Sequence, residues 1–176
     1  GSTIMKKNKI REKLFPFNWE KSPSEIIKIM TSHAKVAETK CKNGSMIWHC
    51  WNSDQDRLPL FLLHGGWGSW THWIRVIPAL SCFSPIIAGD LPGMGGSSGF
   101  NHAENTTGMS KLVAEAINQL VPSDSQFNLA CFSFGAIIGA EVAALHGNKC
   151  KNFIAVGAAG FGDLHQIVNG ISIPDP

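Results

Sequence analysis

The sequence has little charge and no long apolar run, and both shortages narrow the functions it can serve. Only 16% of its 176 residues are charged, and the formal net charge is +2. A charge this small does not favour nucleic acid or an anionic membrane surface as a partner. No apolar stretch is long enough to cross a bilayer. Apolar residues are nevertheless plentiful, at 44% of the chain, which is enough for the core of one globular domain.

Cysteine pairs of the kind that bind zinc are also missing. The five cysteines include no C-x-x-C pair, and they suggest neither a zinc site nor a disulfide framework. Free thiols in a reducing compartment are the simpler interpretation, so we expect a cytoplasmic protein. The cysteines are Cys41, Cys50, Cys82, Cys131 and Cys150.

Residues 1–21 are predicted to form a tail in front of the domain. Gly1 and Ser2 resemble a remnant of recombinant expression. Basic residues follow, and the apolar block at 14–17 is too short for a secretory signal. We therefore expect a solvated basic tail over 1–21 and a single domain over 22–176.

Short apolar strands alternate with helical segments along this domain. Asn43-Gly44 predicts a hairpin within residues 35–51, and Ser22 or Ser24 is placed to cap a short helix. The later strands are apolar on both faces, as in parallel sheets covered by helices on both sides. The pattern predicts an α/β fold with a mostly parallel sheet. The predicted strands are 60–63, 85–88, 127–130 and 153–156, and the predicted helices are 69–82, 109–120 and 134–146.

Three motifs stand at the ends of these strands. Ser133 lies where a strand turns into a helix, so it can be exposed as a nucleophile. His64-Gly65-Gly66-Trp67 ends an earlier strand, where backbone N–H groups can face the target of that serine. A glycine-rich turn spans 89–98. It is not a dinucleotide fingerprint, because the G-x-G-x-x-G spacing fails at Ser98.

With these motifs in this order, residues 58–160 resemble the first half of an α/β-hydrolase. The resemblance implies the α/β-hydrolase fold, with the sheet cut short after its sixth strand. One position departs from the family pattern, since Cys131 replaces the first glycine of G-x-S-x-G. That position is crowded, and a cysteine raises its steric demand.

The resemblance implies a serine hydrolase that forms an acyl-enzyme at Ser133. Its small-molecule substrate would be an ester, thioester, amide or activated carbon–carbon bond. The backbone N–H groups of Gly66 and Phe134 would stabilise the oxyanion. No metal or organic cofactor is implied. The alternatives are a plain helix N-cap for Ser133, a plain turn at 65–66, and a non-catalytic binding or interaction protein of the same fold.

Other polar and aromatic residues receive weaker assignments. Trp67 either walls the substrate pocket or packs beside Trp70 and Trp73. His64 and Asp90 are structural by resemblance, and Cys131 is a remote alternative nucleophile. The remaining histidines form no recognisable constellation and are expected to be surface or satisfied residues: His33, His49, His72, His102 and His146.

The acid and histidine of a catalytic triad are not evident after the sixth strand. In the family order they follow the nucleophile, and only Asp163 and His165 lie just beyond the last predicted strand. Asp163 could serve as the acid, because some members of the family place it after the sixth strand, whereas His165 is too close to Asp163 to reach Ser133 with that acid behind it. We expect the acid and the histidine of the triad beyond residue 176. A sheet cut short would also leave an open edge, which favours self-association.

Overall fold

The computed structural model of the chain describes residues 19–98 and 105–157. Four helices and six strands occur in this part of the chain. The helices are α1 (Pro23–Ser32), α2 (Ile77–Ser81), α3 (Thr106–Leu120) and α4 (Phe134–His146). The strands are β1 (Lys35–Cys41), β2 (Gly44–Trp51), β3 (Leu60–Leu63), β4 (Ile86–Gly89), β5 (Phe127–Phe132) and β6 (Cys150–Val156). Short 3₁₀ turns lie at Trp70–Trp73 and Gly147–Lys149.

The six strands form one sheet in the order β1-β2-β4-β3-β5-β6. The β1–β2 hairpin pairs antiparallel with β4, and β4, β3, β5 and β6 are mutually parallel. The carboxyl ends of β3 and β5 are therefore neighbours, with Leu63 paired to Cys131. This register brings the loop after β3 beside the start of α4. The predicted α/β class with a mostly parallel sheet is confirmed.

Apolar side chains cover the sheet on both faces. Phe61 and Leu63 of β3 face α3 and α4, whereas Leu62 between them faces α1 and the 70–81 segment. This alternation follows from the two-residue repeat of a strand. It explains why the central strands are apolar at nearly every position, since each face is buried. Within the described residues, no helix is long and apolar enough to cross a membrane.

Two predicted elements differ from the structure. The hairpin is present, but Cys41 pairs with Gly44, so its loop is Lys42-Asn43, one residue earlier than Asn43-Gly44 implies. The helix predicted over 69–82 is broken into a 3₁₀ turn and α2. Pro78 fits this break, because its missing N–H is tolerated in the first turn of α2, whereas in the interior of one helix over 69–82 it would leave a backbone carbonyl without its partner.

The amino-terminal helix begins as the sequence predicts. Ser22 is the N-cap, and its hydroxyl accepts the Glu25 backbone N–H at 3.4 Å. The Glu25 carboxylate accepts the Ser22 N–H at 3.1 Å, which completes a capping box. Ile26 and Met30, four residues apart, then lie on the buried face of α1, so the cap sets where the helix begins and the apolar spacing sets the face that meets the sheet.

A buried hydrogen bond in the hairpin provides a test of its packing. The Trp48 indole N–H donates to the Thr39 hydroxyl at 2.9 Å, and both residues are buried. We predict that Thr39→Val lowers the free energy of unfolding by about 2 kcal/mol, because it leaves the indole N–H without an acceptor. Urea denaturation measures this. Thr39→Ser is the control, since it keeps the hydroxyl, and an equal loss in both variants would contradict the assignment.

Candidate active site

Ser133 occupies a strained bend between β5 and α4. Its backbone has φ 53° and ψ −119°, in the left-handed region that a residue with a side chain rarely adopts. Such a conformation costs about 1–3 kcal/mol and persists only where the surroundings impose it. Here the Ser133 N–H donates to the Val156 carbonyl of β6 at 3.0 Å, and the Ser133 carbonyl accepts the Ala136 N–H at 2.8 Å.

The Ser133 hydroxyl is not used to cap the helix. Ser133 stands at the N-cap position of α4, but its side chain makes no capping hydrogen bond. This differs from Ser22 on α1, whose hydroxyl does cap its helix. Among the described residues the Ser133 side chain has no hydrogen-bond partner, and it is half-buried. The geometry therefore matches a hydroxyl left out of capping at a strand–helix bend better than an ordinary N-cap.

Gly135 allows α4 to begin against the end of β3. A Cβ atom at this position would lie 2.3 Å from the His64 carbonyl oxygen and 2.9 Å from the Leu63 carbonyl oxygen. Both contacts are with backbone, which cannot rotate away. Glycine is thus required here because two backbones touch, and this contact sets the distance between the Ser133 bend and the loop after β3.

Cys131 fits its crowded position because Gly139 makes room for it. The cysteine is fully buried, and a Cβ atom at Gly139 would lie 2.2 Å from its Sγ atom. The Cys131 side chain, which the glycine of the family motif would lack, is thus accommodated against α4. Burial raises the pKa of the Cys131 thiol well above its usual value, so the thiol stays protonated. Both facts argue against Cys131 as the nucleophile.

Two backbone N–H groups beside Ser133, one on the loop after β3 and one at the start of α4, are available as hydrogen-bond donors. A Cβ atom on Gly65 would lie 3.3 Å from the Ser133 Cβ, and one on Gly66 would lie 3.6 Å from the Phe134 Cβ. Within the described residues, the N–H groups of Gly66 and Phe134 donate no hydrogen bond. Unpaired amides on two adjoining segments are the type of group that binds a developing negative charge.

Trp67 projects from this loop into solvent. Its backbone φ is 57°, and its side chain is 93% exposed. Trp70 and Trp73, by contrast, are buried in the core on the α1 side of the sheet. Trp67 therefore does not pack with them in the described part of the chain, which removes one of the two interpretations of this residue.

His64 is a buried structural residue. Its Nε2 atom accepts the Leu91 N–H at 2.9 Å, so the ring proton lies on Nδ1, which donates to the Gly65 carbonyl at 2.6 Å. Burial lowers the pKa of His64, which keeps the ring neutral and both hydrogen bonds in place. The ring ties the end of β3 to Leu91, two residues after β4, and it is not hydrogen-bonded to Ser133.

Asp90 is likewise structural. One carboxylate oxygen accepts the Trp70 N–H at 2.8 Å, and the other accepts the Gly96 N–H at 2.9 Å. The carboxylate so joins the 3₁₀ turn after β3 to the glycine-rich turn after β4. Gly95 has φ 53°, and a Cβ atom there would lie 2.5 Å from the Asp90 Oδ2 atom. The glycine motif of 89–98 thus builds a turn around a carboxylate.

No histidine among the described residues is hydrogen-bonded to the Ser133 hydroxyl. His146 is hydrogen-bonded to the Ala114 carbonyl at 3.0 Å, and His49 stacks against Trp51. Asp163 and His165, the residues considered as acid and base, lie outside the described residues, as does His102. The described part also holds no group of three or more His, Cys, Asp or Glu that could bind a metal ion.

A surface depression of 520 Å³ lies at the other end of the strands. Its lining includes Pro59, before β3, and Gln126, before β5. Ser133 follows the carboxyl end of β5, so the depression opens on the opposite edge of the sheet. It is not part of the candidate site.

A sequence profile of the alpha/beta hydrolase fold matches residues 59–170. The chain belongs to this family, and the resemblance that its motifs carry is confirmed. A dihydrolipoyllysine-residue acetyltransferase component of an acetoin cleaving system, from Pseudomonas putida, is 30% identical over 112 residues. The match covers 64% of this chain and 29% of that protein.

Solved structures share the fold at low sequence identity. Cfl2 from Burkholderia cenocepacia is 23% identical with a TM-score of 0.63, over 70% of this chain and 41% of the other. A bacterial membrane phospholipase A gives the same identity and TM-score, over 75% of this chain and 43% of the other. The chain thus spans less than half the length of the relatives to which it is similar.

The contact of Gly135 with the end of β3 predicts a strong effect of one methyl group. We expect Gly135→Ala to lower the free energy of unfolding by about 3 kcal/mol, because the new Cβ meets backbone oxygens that cannot move aside. Urea denaturation measures the loss. Gly96→Ala is the control, since its Cβ would make only ordinary contacts of 3.5 Å and longer. A similar small loss in both variants would contradict the assignment.

The packing of Cys131 against Gly139 predicts an energetic coupling between them. We expect Gly139→Ala alone to cost about 2 kcal/mol, because its methyl group meets the buried sulfur. In the Cys131→Gly background the same change should cost less than about 1 kcal/mol, since the sulfur is gone. A double-mutant cycle of unfolding free energies measures the coupling, and additive losses would show that the two residues do not share the space.

Proposed function

We propose that the whole protein is a serine hydrolase in which Ser133 attacks a carbonyl carbon and forms an acyl-enzyme. The observation that carries this proposal is the strained bend, where a serine with positive φ at a helix start has no hydrogen-bond partner for its hydroxyl in the described part of the chain. Strain of this kind is found at functional sites, where the surrounding structure holds a reactive group in place. A serine used only to cap α4 would need neither the strain nor a free hydroxyl.

The free amides beside Ser133 support an oxyanion site. Attack on a carbonyl places negative charge on its oxygen, and the Phe134 N–H stands directly after the nucleophile. The Gly66 N–H lies on the neighbouring loop, next to Phe134. We assign these two groups as the donors. Removal of one such donor costs about 3–4 kcal/mol of transition-state stabilisation.

The general base and its acid are assigned to parts of the protein outside the described residues. Serine needs a histidine to take its proton and a carboxylate to orient that histidine. Because this chain spans under half of its solved relatives, we propose that the whole protein supplies both from later elements. The apolar edge strand β6, in which Ile154 is 53% exposed, would then pair with such an element or with a second copy.

Trp67 is proposed to line the substrate pocket. It stands next to the assigned Gly66 donor, and its large apolar side chain is almost fully exposed. An exposed tryptophan at the mouth of a site suits an apolar group of a small-molecule substrate. The chemistry fits esters, thioesters, amides or activated carbon–carbon bonds, and it calls for no metal or organic cofactor.

A fluorophosphonate probe tests the nucleophile. We expect the probe to label the whole protein at Ser133, because an activated serine attacks its phosphorus, and we expect Ser133→Ala to abolish the label. Mass spectrometry of the labelled peptide identifies the site. Ser24→Ala, on the exposed face of α1, is the matched control and should label normally.

The same experiment separates the hydrolase from a non-catalytic protein of this fold. If the folded whole protein takes up no label, a binding or interaction function is favoured over hydrolysis. Labelling at Cys131 in place of Ser133 would also reject the assigned nucleophile.

A further inference from the structure

Gly65 is held by two histidines, one at each of its polar backbone groups. Its carbonyl accepts a hydrogen bond from His64 Nδ1 at 2.6 Å, and its N–H donates to His72 Nδ1 at 3.1 Å. The first histidine is buried, whereas His72 lies on the exposed side of the 3₁₀ turn. The Gly65 carbonyl belongs to the peptide that carries the Gly66 N–H, and the Gly65 N–H belongs to the peptide before it, so the two bonds hold consecutive peptides of the loop that carries the assigned oxyanion donor.

The two rings must carry their protons on opposite nitrogens. His64 donates from Nδ1, while Nδ1 of His72 accepts and must be unprotonated, which places the His72 proton on Nε2. Protonation of His72 would turn Nδ1 into a donor facing the Gly65 N–H. The bond to Gly65 would then be lost, because neither group could accept.

The His72 ring also contacts both sides of the site. A Cβ atom on Gly68 would lie 2.2 Å from the ring, so the loop passes directly over it. The ring meets Phe132 edge to face, with 5.7 Å between centroids. Phe132 is the residue before Ser133, so one imidazole touches the donor loop and the nucleophile bend together.

We propose that His72 is a positioning residue that holds the Gly65–Gly68 loop against the Ser133 bend, and that protonation of His72 releases the loop. His72 makes no contact with the reacting atoms; it acts through the Gly65 amide. The effect on reactivity rests on the function proposed above, whereas the hydrogen bond itself does not.

A pH experiment on His72 must take account of the ionisable groups near its ring. Among the described residues, the nearby ionisable groups on the packed elements are His64, whose ring centroid lies 5.8 Å from that of His72, and Asp90, which accepts the Trp70 N–H of the same turn. Arg75, also on this segment, stacks over Trp19. Substitution of His72 leaves all three in place, so any pH dependence that disappears belongs to His72.

Two variants separate the hydrogen bond from the ring packing. In His72→Asn the amide oxygen takes the place of Nδ1 and accepts the Gly65 N–H at every pH. His72→Phe keeps a ring of similar shape but has no acceptor. His33→Asn, at the end of α1, is the control for loss of a histidine elsewhere.

Nuclear magnetic resonance of the chain tests the hydrogen bond without any need for activity. Long-range ¹H–¹⁵N spectra should show the Nε2–H form for His72 and the Nδ1–H form for His64. The Gly65 amide resonance should move on acidification of the wild-type chain, and it should stay in place in His72→Asn. An Nδ1–H form of His72, or an equal movement of the Gly65 amide in both proteins, would overturn the proposal.

Fluorophosphonate labelling of the whole protein tests the consequence at Ser133. We expect His72→Phe to label about tenfold more slowly, as loss of roughly one hydrogen bond implies, and His72→Asn to stay within about twofold of wild type. At acidic pH the wild-type rate should fall more steeply than that of His72→Asn. Equal rates in His72→Phe and wild type would reject the positioning role, whereas absence of label in every variant, with the Gly65 shift intact, would reject only the hydrolase.

Discussion

The candidate site depends on one backbone contact, between the start of α4 and the end of β3. Gly135 lies so close to the His64 carbonyl that no side chain fits between them. The contact joins the two segments that carry the assigned nucleophile and its donor. A side chain at position 135 would push the start of α4 away from β3, so the sheet register and this glycine together set the distance between the two segments.

The strain at Ser133 is held by neighbours on both sides. Its N–H bonds to Val156 of β6, and Gly65 of the other loop abuts its Cβ. Gly65 is in turn hydrogen-bonded by two histidines, and Asp90 links the turns that follow β3 and β4. Hydrogen bonds from polar groups therefore join the segments at the ends of the strands. Such bonds hold the groups of a site in fixed positions, as catalysis requires.

The family motif is kept here except at one position, where a larger residue on β5 is accommodated by a glycine on α4. The bend lacks the first glycine of G-x-S-x-G, yet Cys131 causes no disruption because Gly139 on α4 receives its sulfur. The buried thiol of the cysteine also stays protonated. It therefore fills space but does not compete with Ser133 as a nucleophile. The family membership shown by the profile match is therefore compatible with the altered motif.

The sequence by itself determined the strands, most helices and the bend at Ser133, because apolar periodicity and turn residues are local signals. It did not reveal the break before α2 within 69–82. It also did not reveal which residues form the hairpin loop, because the pairing register of β1 and β2 determines that loop. The roles of Gly135, Gly139 and His72 depend on contacts between segments far apart in the chain. Only the tertiary structure decided these roles, since a close backbone contact or a hydrogen bond between distant segments forms only once the strands lie side by side.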